Sequence, residues 1–98
     1  MSELGRVIRD YVDGPYGQIH LRHCGNPMVG ETPLVCLHMS PKSSRGYQDI
    51  LPWLARDRFV LAPDNPGHGE SDLPPAFPAV TIEDYARSAW AAIAVLFR

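Results

Sequence analysis

The segment Leu61-Ala62-Pro63-Asp64-Asn65-Pro66-Gly67-His68-Gly69-Glu70-Ser71-Asp72 limits the fold of this chain more than any other. It continues an apolar run, Phe59-Val60-Leu61-Ala62, that has the length and composition of a short buried strand. Gly67 and Gly69 then let the backbone turn where a Cβ would clash. Upstream, a second continuous apolar run, Leu34-Val35-Cys36-Leu37, ends abruptly in His38-Met39-Ser40-Pro41. Runs of this kind suit strands covered on both faces of a parallel sheet.

Periodicity supplies the other elements. Val7 to Val12 reads as a strand and Asp13 to Gly17 as the turn after it. Gln18 to His23 alternates polar and apolar with period two, the mark of a half-buried strand. An antiparallel hairpin therefore opens the chain, and Gly25-Asn26-Pro27 ends it. From Ser43 onward, Tyr47, Ile50, Leu51 and Leu54 recur at helical spacing. Pro52 must kink or interrupt that helix, since it lacks an N–H and clashes with the preceding turn. The proline-rich stretch Leu73 to Pro78 suits neither a helix nor a central strand. Thr81 is a good N-cap for a last helix, and Glu83 and Asp84 suit its positive end. Ile82, Tyr85, Ala86, Ala89, Ile93, Leu96 and Phe97 fall on one apolar face of it. The order strand, strand, strand, helix, strand, helix predicts an α/β fold. Its parallel sheet carries an antiparallel hairpin at one edge. At 98 residues this is one domain, spanning 1–98.

The His38-Met39-Ser40-Pro41 loop after one strand and the Asp64–Asp72 turn after the next resemble two motifs of the α/β-hydrolase fold superfamily. These are its HGxP loop and its DxxGHGxSD turn, and the resemblance covers nearly the whole chain. It implies the N-terminal half of that sheet, an antiparallel hairpin followed by a parallel strand-helix-strand-helix unit, stopping before the nucleophile strand. It also implies roles for particular residues. The loop would present backbone N–H groups to the oxygen that turns negative in acyl transfer, and the implied donors are Ser40 with Met39. Met39 stands where the family has glycine; methionine disfavours positive φ, so the loop must turn with ordinary backbone angles or bear strain. By the same resemblance His38 orients the loop through hydrogen bonds rather than acting as a base, with Pro41 beside it. Asp64, Gly67, His68, Gly69 and Ser71 are architectural, the glycines allowing tight packing and the polar side chains satisfying nearby amides.

Competing chemistries fail on particular residues. A dinucleotide fingerprint needs a third glycine where Asp72 stands, and a phosphate P-loop needs a lysine that the turn lacks. Gly69-Glu70-Ser71-Asp72-Leu73 begins like a nucleophile elbow but lacks the second glycine, and no Gly-x-Ser-x-Gly occurs in the chain. His20 and His23 face opposite sides of a strand, and no carboxylate-histidine cluster accompanies the four histidines at zinc spacing, so neither metal nor cofactor is expected. Trp53, Trp90, Tyr47 and Tyr85 fall within the helical patterns and read as packing residues rather than a ligand cage.

Composition narrows the partners. A net charge of −2 with no basic stripe argues against nucleic acid or an anionic membrane. Cys24 and Cys36 are too far apart for a CxxC site, the first residues are polar, and no apolar run approaches a membrane span. A cytoplasmic protein is therefore expected. Arg98 ends a helix that, by the resemblance, leads into the nucleophile strand. The expected function follows: an N-terminal fragment of a hydrolase of ester or related bonds, inactive alone. The nucleophile (Ser, Asp or Cys) and the catalytic histidine would lie beyond residue 98, and the small-molecule substrate would belong to the full-length parent. The alternative is a non-catalytic remnant or binding module. It would associate with another chain through the open edge at Leu34–Leu37, either by self-association or by pairing with the missing C-terminal half.

Overall fold

A computed structural model describes residues 5–27, 31–39, 42–74 and 81–96. Ser40 and Pro41 of the predicted loop, residues 75–78 of the proline-rich stretch, and Phe97 lie outside the described residues. Strands β1 (Ile8–Gly14) and β2 (Gly17–Cys24) pair antiparallel, with Ile8 opposite His23 at one end and Gly14 opposite Gly17 at the other. The turn is therefore Pro15-Tyr16 alone, shorter than the five residues predicted. Pairing can run into Gly17 because its φ of 108° is open to glycine. Strands β3 (Glu31–Val35) and β4 (Arg58–Pro63) pair parallel, and β4 also pairs antiparallel with β2. The sheet order is β1-β2-β4-β3, which is the predicted mixed sheet with the hairpin on one side.

Strand alternation sorts the core into two layers. Val12, Ile19, Leu21, Phe59 and Leu61 form one, with Ala92 of helix α2 (Ile82–Leu96) packed among them. Cys24, Val60 and Ala62 form the other, with Leu51 of the short helix α1 (Leu51–Leu54). Two expectations change for this reason. The alternating strand β2 is not half-buried: Ile19, His20, Leu21 and Arg22 are all buried, because both faces are covered. Its polar residues mark a second interior face, not a solvent face. Conversely, the apolar run Leu34–Leu37 is not a strand covered on both faces: β3 ends at Val35, Leu34 to Cys36 are half-buried and Leu37 is 58% exposed, and among the described residues β3 has a neighbour on one side alone.

The helix predicted from Ser43 is two pieces, a 3₁₀ turn over Ser44–Tyr47 and then α1. Pro52 does not kink it; it sits in the first turn of α1, where no intrahelical bond needs its missing N–H. Thr81 caps α2 as predicted: its Oγ1 accepts from the Asp84 amide at 3.2 Å, while Asp84 Oδ2 accepts from the Thr81 amide at 2.9 Å. Tyr16 in the hairpin turn donates its hydroxyl to Asp84 Oδ1 at 2.5 Å and so ties the turn to this cap. The predicted apolar face of α2 holds at Ala89, which is buried, and at Ile93 and Leu96, which pack against the core, but not at its N-terminal end. Ile82 is 82% exposed and Ala86 is exposed, while Ser88, Ala89 and Ala92 meet the sheet. Small side chains at Ser88, Ala89 and Ala92 let the helix lie close to the sheet. Trp53 and Trp90, expected to pack, are exposed; Trp53 instead carries the Arg56 guanidinium 5.3 Å from its ring centre. No helix among the described residues is long and apolar enough to cross a membrane.

Ser88 is 1% exposed and its hydroxyl has no hydrogen-bond partner. A buried hydroxyl without a partner pays desolvation with no return, and serine is a poorer helix former than alanine. Ser88→Ala is therefore expected to stabilise the chain by about 1 kcal/mol, seen as a higher urea midpoint with unchanged slope.

Candidate functional site

Strand β4 ends at Pro63, and the next side chain, Asp64, turns inward with 1% exposure. Its Oδ1 accepts from the Ser44 amide at 2.6 Å; its Oδ2 accepts from the Glu70 amide at 3.1 Å and from His20 Nδ1 at 2.9 Å. Burial opposes its charge, but the amide and hydroxyl of Ser44, the Glu70 amide and His20 outweigh burial and hold the carboxyl below its ordinary value. One carboxylate thus joins β2, the 3₁₀ turn and the glycine turn. Gly69, at φ 52°, passes so close that an added Cβ would collide with the Asp64 carboxylate. Gly67, at φ 78°, donates its amide to Asp72 O at 2.8 Å and closes the same turn.

Ser71 and Asp72 fasten the turn to the hairpin. Ser71 Oγ accepts from the His20 amide at 2.9 Å and donates to Asp64 O at 2.9 Å. Asp72 Oδ2 accepts from the Gln18 amide at 2.8 Å, and the Asp72 amide donates to Gln18 O at 2.9 Å. The Ser71 hydroxyl therefore faces backbone groups, and no base lies at its proton. Burial raises both the Cys24 and the Cys36 thiol above the ordinary value, so neither is an activated nucleophile.

His38 follows β3 and is 8% exposed. Its Nε2 accepts from the Asn65 amide at 3.0 Å, which fixes the ring proton on Nδ1, where it is shared with Met39 O at 3.0 Å. The ring so joins the loop after β3 to the turn after β4, and its basic lone pair is already engaged. It lies 5.2 Å, centroid to centroid, from the His68 ring, and His68 donates Nδ1–H to Pro66 O at 3.1 Å. Met39 O also accepts from the Lys42 amide at 2.7 Å. No described residue other than glycine has positive φ, and Met39 turns with ordinary backbone angles. The Tyr47 hydroxyl donates to Leu37 O at 2.6 Å and braces the end of β3. Beside the loop lies an open cleft of about 630 Å³, lined among others by His38, Met39, Lys42, Arg45, Tyr47 and Gly69.

The structure thus brings His38, Asp64, Gly67, His68, Gly69 and Ser71 into one assembly with Met39 at its rim; Ser40 and Pro41 lie outside the described residues. Sequence reasoning missed His20, Arg22, Ser44 and Gln48. Arg22 donates to Gln48 Oε1 and to Ser44 Oγ, each at 2.7 Å, and is buried with His20 on the inner face of β2. The one available signal was the pair of polar side chains at alternate positions of β2.

Neither a protein-family model nor a curated protein matches the chain. Solved structures do. An epoxide hydrolase from an endophytic Streptomyces is 30% identical, with a TM-score of 0.78 over 92% of this chain and 26% of that one. The Cif epoxide hydrolase from Acinetobacter nosocomialis is 19% identical, with a TM-score of 0.80 over 97% of this chain and 28% of that one. A thioesterase domain from the curacin biosynthetic pathway is 21% identical, with a TM-score of 0.78 over 91% of this chain and 33% of that one. The chain spans about a quarter to a third of the length of these proteins.

The depressed Asp64 carboxyl makes stability depend on pH with a definite sign. Its contribution is full above the ordinary value of 3.8 and is lost as pH falls through the lower folded value. Asp64→Asn is expected to cost about 3 kcal/mol at neutral pH and to flatten that acid loss, checked by urea unfolding between pH 3 and pH 7. Gly69→Ala is expected to cost about 2 kcal/mol or more, while Gly46→Ala, with open space around it, stays within about 1 kcal/mol of the parent.

Proposed function

The chain belongs to the α/β-hydrolase fold superfamily, whose N-terminal part it carries, and from that premise we propose that it supplies the oxyanion-loop side of a hydrolase of ester or related bonds. The observation that carries this reading is the double hydrogen bond of His38. It anchors the start of the loop beyond the ends of the parallel strands, beside the cleft, and consumes the lone pair that a general base would need. When a carbonyl carbon is attacked, its oxygen gains charge that backbone N–H groups stabilise if they are already in place. Ser40 with Met39 is the donor pair in this reading. A nucleophile (Ser, Asp or Cys), its base and the acidic residue that orients that base come from other parts of the intact enzyme. The substrate is a small molecule of the whole enzyme, and the chain alone is inactive.

The chain is expected to hydrolyse a chromogenic short-chain ester no faster than buffer. Mixed with a C-terminal hydrolase half that brings Gly-x-Ser-x-Gly and the general-base histidine, it is expected to yield turnover. Turnover by the chain alone contradicts this reading, as does tight association of the two halves without any turnover.

A second reading, a non-catalytic module that pairs through its sheet edge, is favoured by β3. The Cys36 amide donates to Leu61 O at 2.8 Å, so the N–H and C=O of Val35, one residue earlier, face away from β4. Pro33 has no N–H on that edge, and the Tyr47 hydroxyl already occupies Leu37 O, so the open stretch is short. Concentration-dependent association through this edge is expected in size-exclusion chromatography. Val35→Pro, which removes only an outward N–H from the ladder, is expected to weaken it; association unchanged in that variant contradicts this reading.

A further inference from the structure

On the α1 side of the sheet, next to the cleft, lies a second cavity of about 430 Å³. Three of the chain's nine Lys and Arg residues, Arg9, Arg22 and Arg45, line it, with Gln48, Asp64 and Glu70. Arg22 is only 7% exposed, and both of its described hydrogen bonds go to uncharged oxygens, Gln48 Oε1 and Ser44 Oγ. Among the described residues, none of the three arginines has a carboxylate at salt-bridge distance. Buried charges are ordinarily paired, and an unpaired one is costly. Asp64 lines the same cavity, but its oxygens are taken by Ser44, Glu70 and His20, and Arg22 reaches it only through Ser44. Glu70 is exposed at the rim. Three cations against two carboxylates leave one positive charge facing this space, in a chain whose net charge is −2.

We propose that this cavity binds a small oxyanion of the carboxylate or phosphate type. Guanidinium groups present planar, paired donors that match such anions, and Arg22 is held in place in advance by Gln48 and Ser44. Arg45 supplies a second donor at the mouth, since it lines both this cavity and the adjoining cleft. The oxyanion is either a free ion or the charged end of a molecule whose body lies in the cleft. The inference does not depend on hydrolase activity, because binding is read directly.

The test is isothermal titration of inorganic phosphate into the 98-residue chain at low ionic strength, repeated with phenyl phosphate. Saturable one-to-one binding is expected, weakened roughly fivefold or more in Arg45→Met and unchanged in Arg56→Met, whose guanidinium lies against Trp53. Arg45 is exposed, so its loss leaves the core intact. Phenyl phosphate binding several-fold tighter than phosphate supports a site for a molecule's charged end; equal binding supports a site for the free ion. No saturable heat, or equal weakening in the two variants, overturns the proposal.

Discussion

The carboxylate of Asp64 is the constraint on which this structure depends. A charge at the end of a buried strand is tolerated only when fixed donors replace the water it has lost. Here they come from three separate segments: His20 in β2, Ser44 in the 3₁₀ turn and Glu70 in the glycine turn. Satisfying one anion therefore dictates where three connections run. It also dictates composition, because Gly69 can pass the carboxylate only without a Cβ. The turn so fixed places the Asn65 amide where His38 accepts from it, and the loop after β3 takes its position at second hand.

Several residues here resemble catalytic groups without the geometry of one. His20 and Asp64 form a buried imidazole-carboxylate pair, and Ser71 is close by. Ser71 Oγ, however, meets the His20 backbone amide rather than its ring, and donates to a carbonyl. The Ser71 proton thus does not point at an imidazole lone pair, which nucleophile activation requires. The polar cluster is better understood as a fastening between hairpin, turn and helix. Beside this fastening lie the open cleft and the arginine-lined cavity, which share Arg45.

Much of this was legible because it is local. Gly67 and Gly69 announce positive φ, continuous apolar runs announce β3 and β4, and Thr81 with Asp84 announces the start of α2. What was not legible depends on partners distant in sequence. His20 and Asp64 are 44 residues apart, and nothing in an alternating strand says whether its polar side meets water or a carboxylate. The apolar face of α2 was misjudged only at its N-terminal end, because the helix meets the sheet through Ser88, Ala89, Ala92, Ile93 and Leu96 and leaves Ile82 outside. Leu37, expected in a strand covered on both faces, instead lies past the end of β3 and is 58% exposed, at the edge that the family resemblance leaves open.

Amide hydrogen exchange at Ser44, Glu70 and Asn65 tests the account most directly. All three lie outside the strands and helices and owe their hydrogen bonds to Asp64 or His38, except that Ser44 also opens the 3₁₀ turn. If the Asp64 carboxylate holds the connections together, these amides open only with the core and exchange as slowly as Val60 and Leu61 in β4. Exchange at the rate of free turn amides, with β4 still protected, would contradict it.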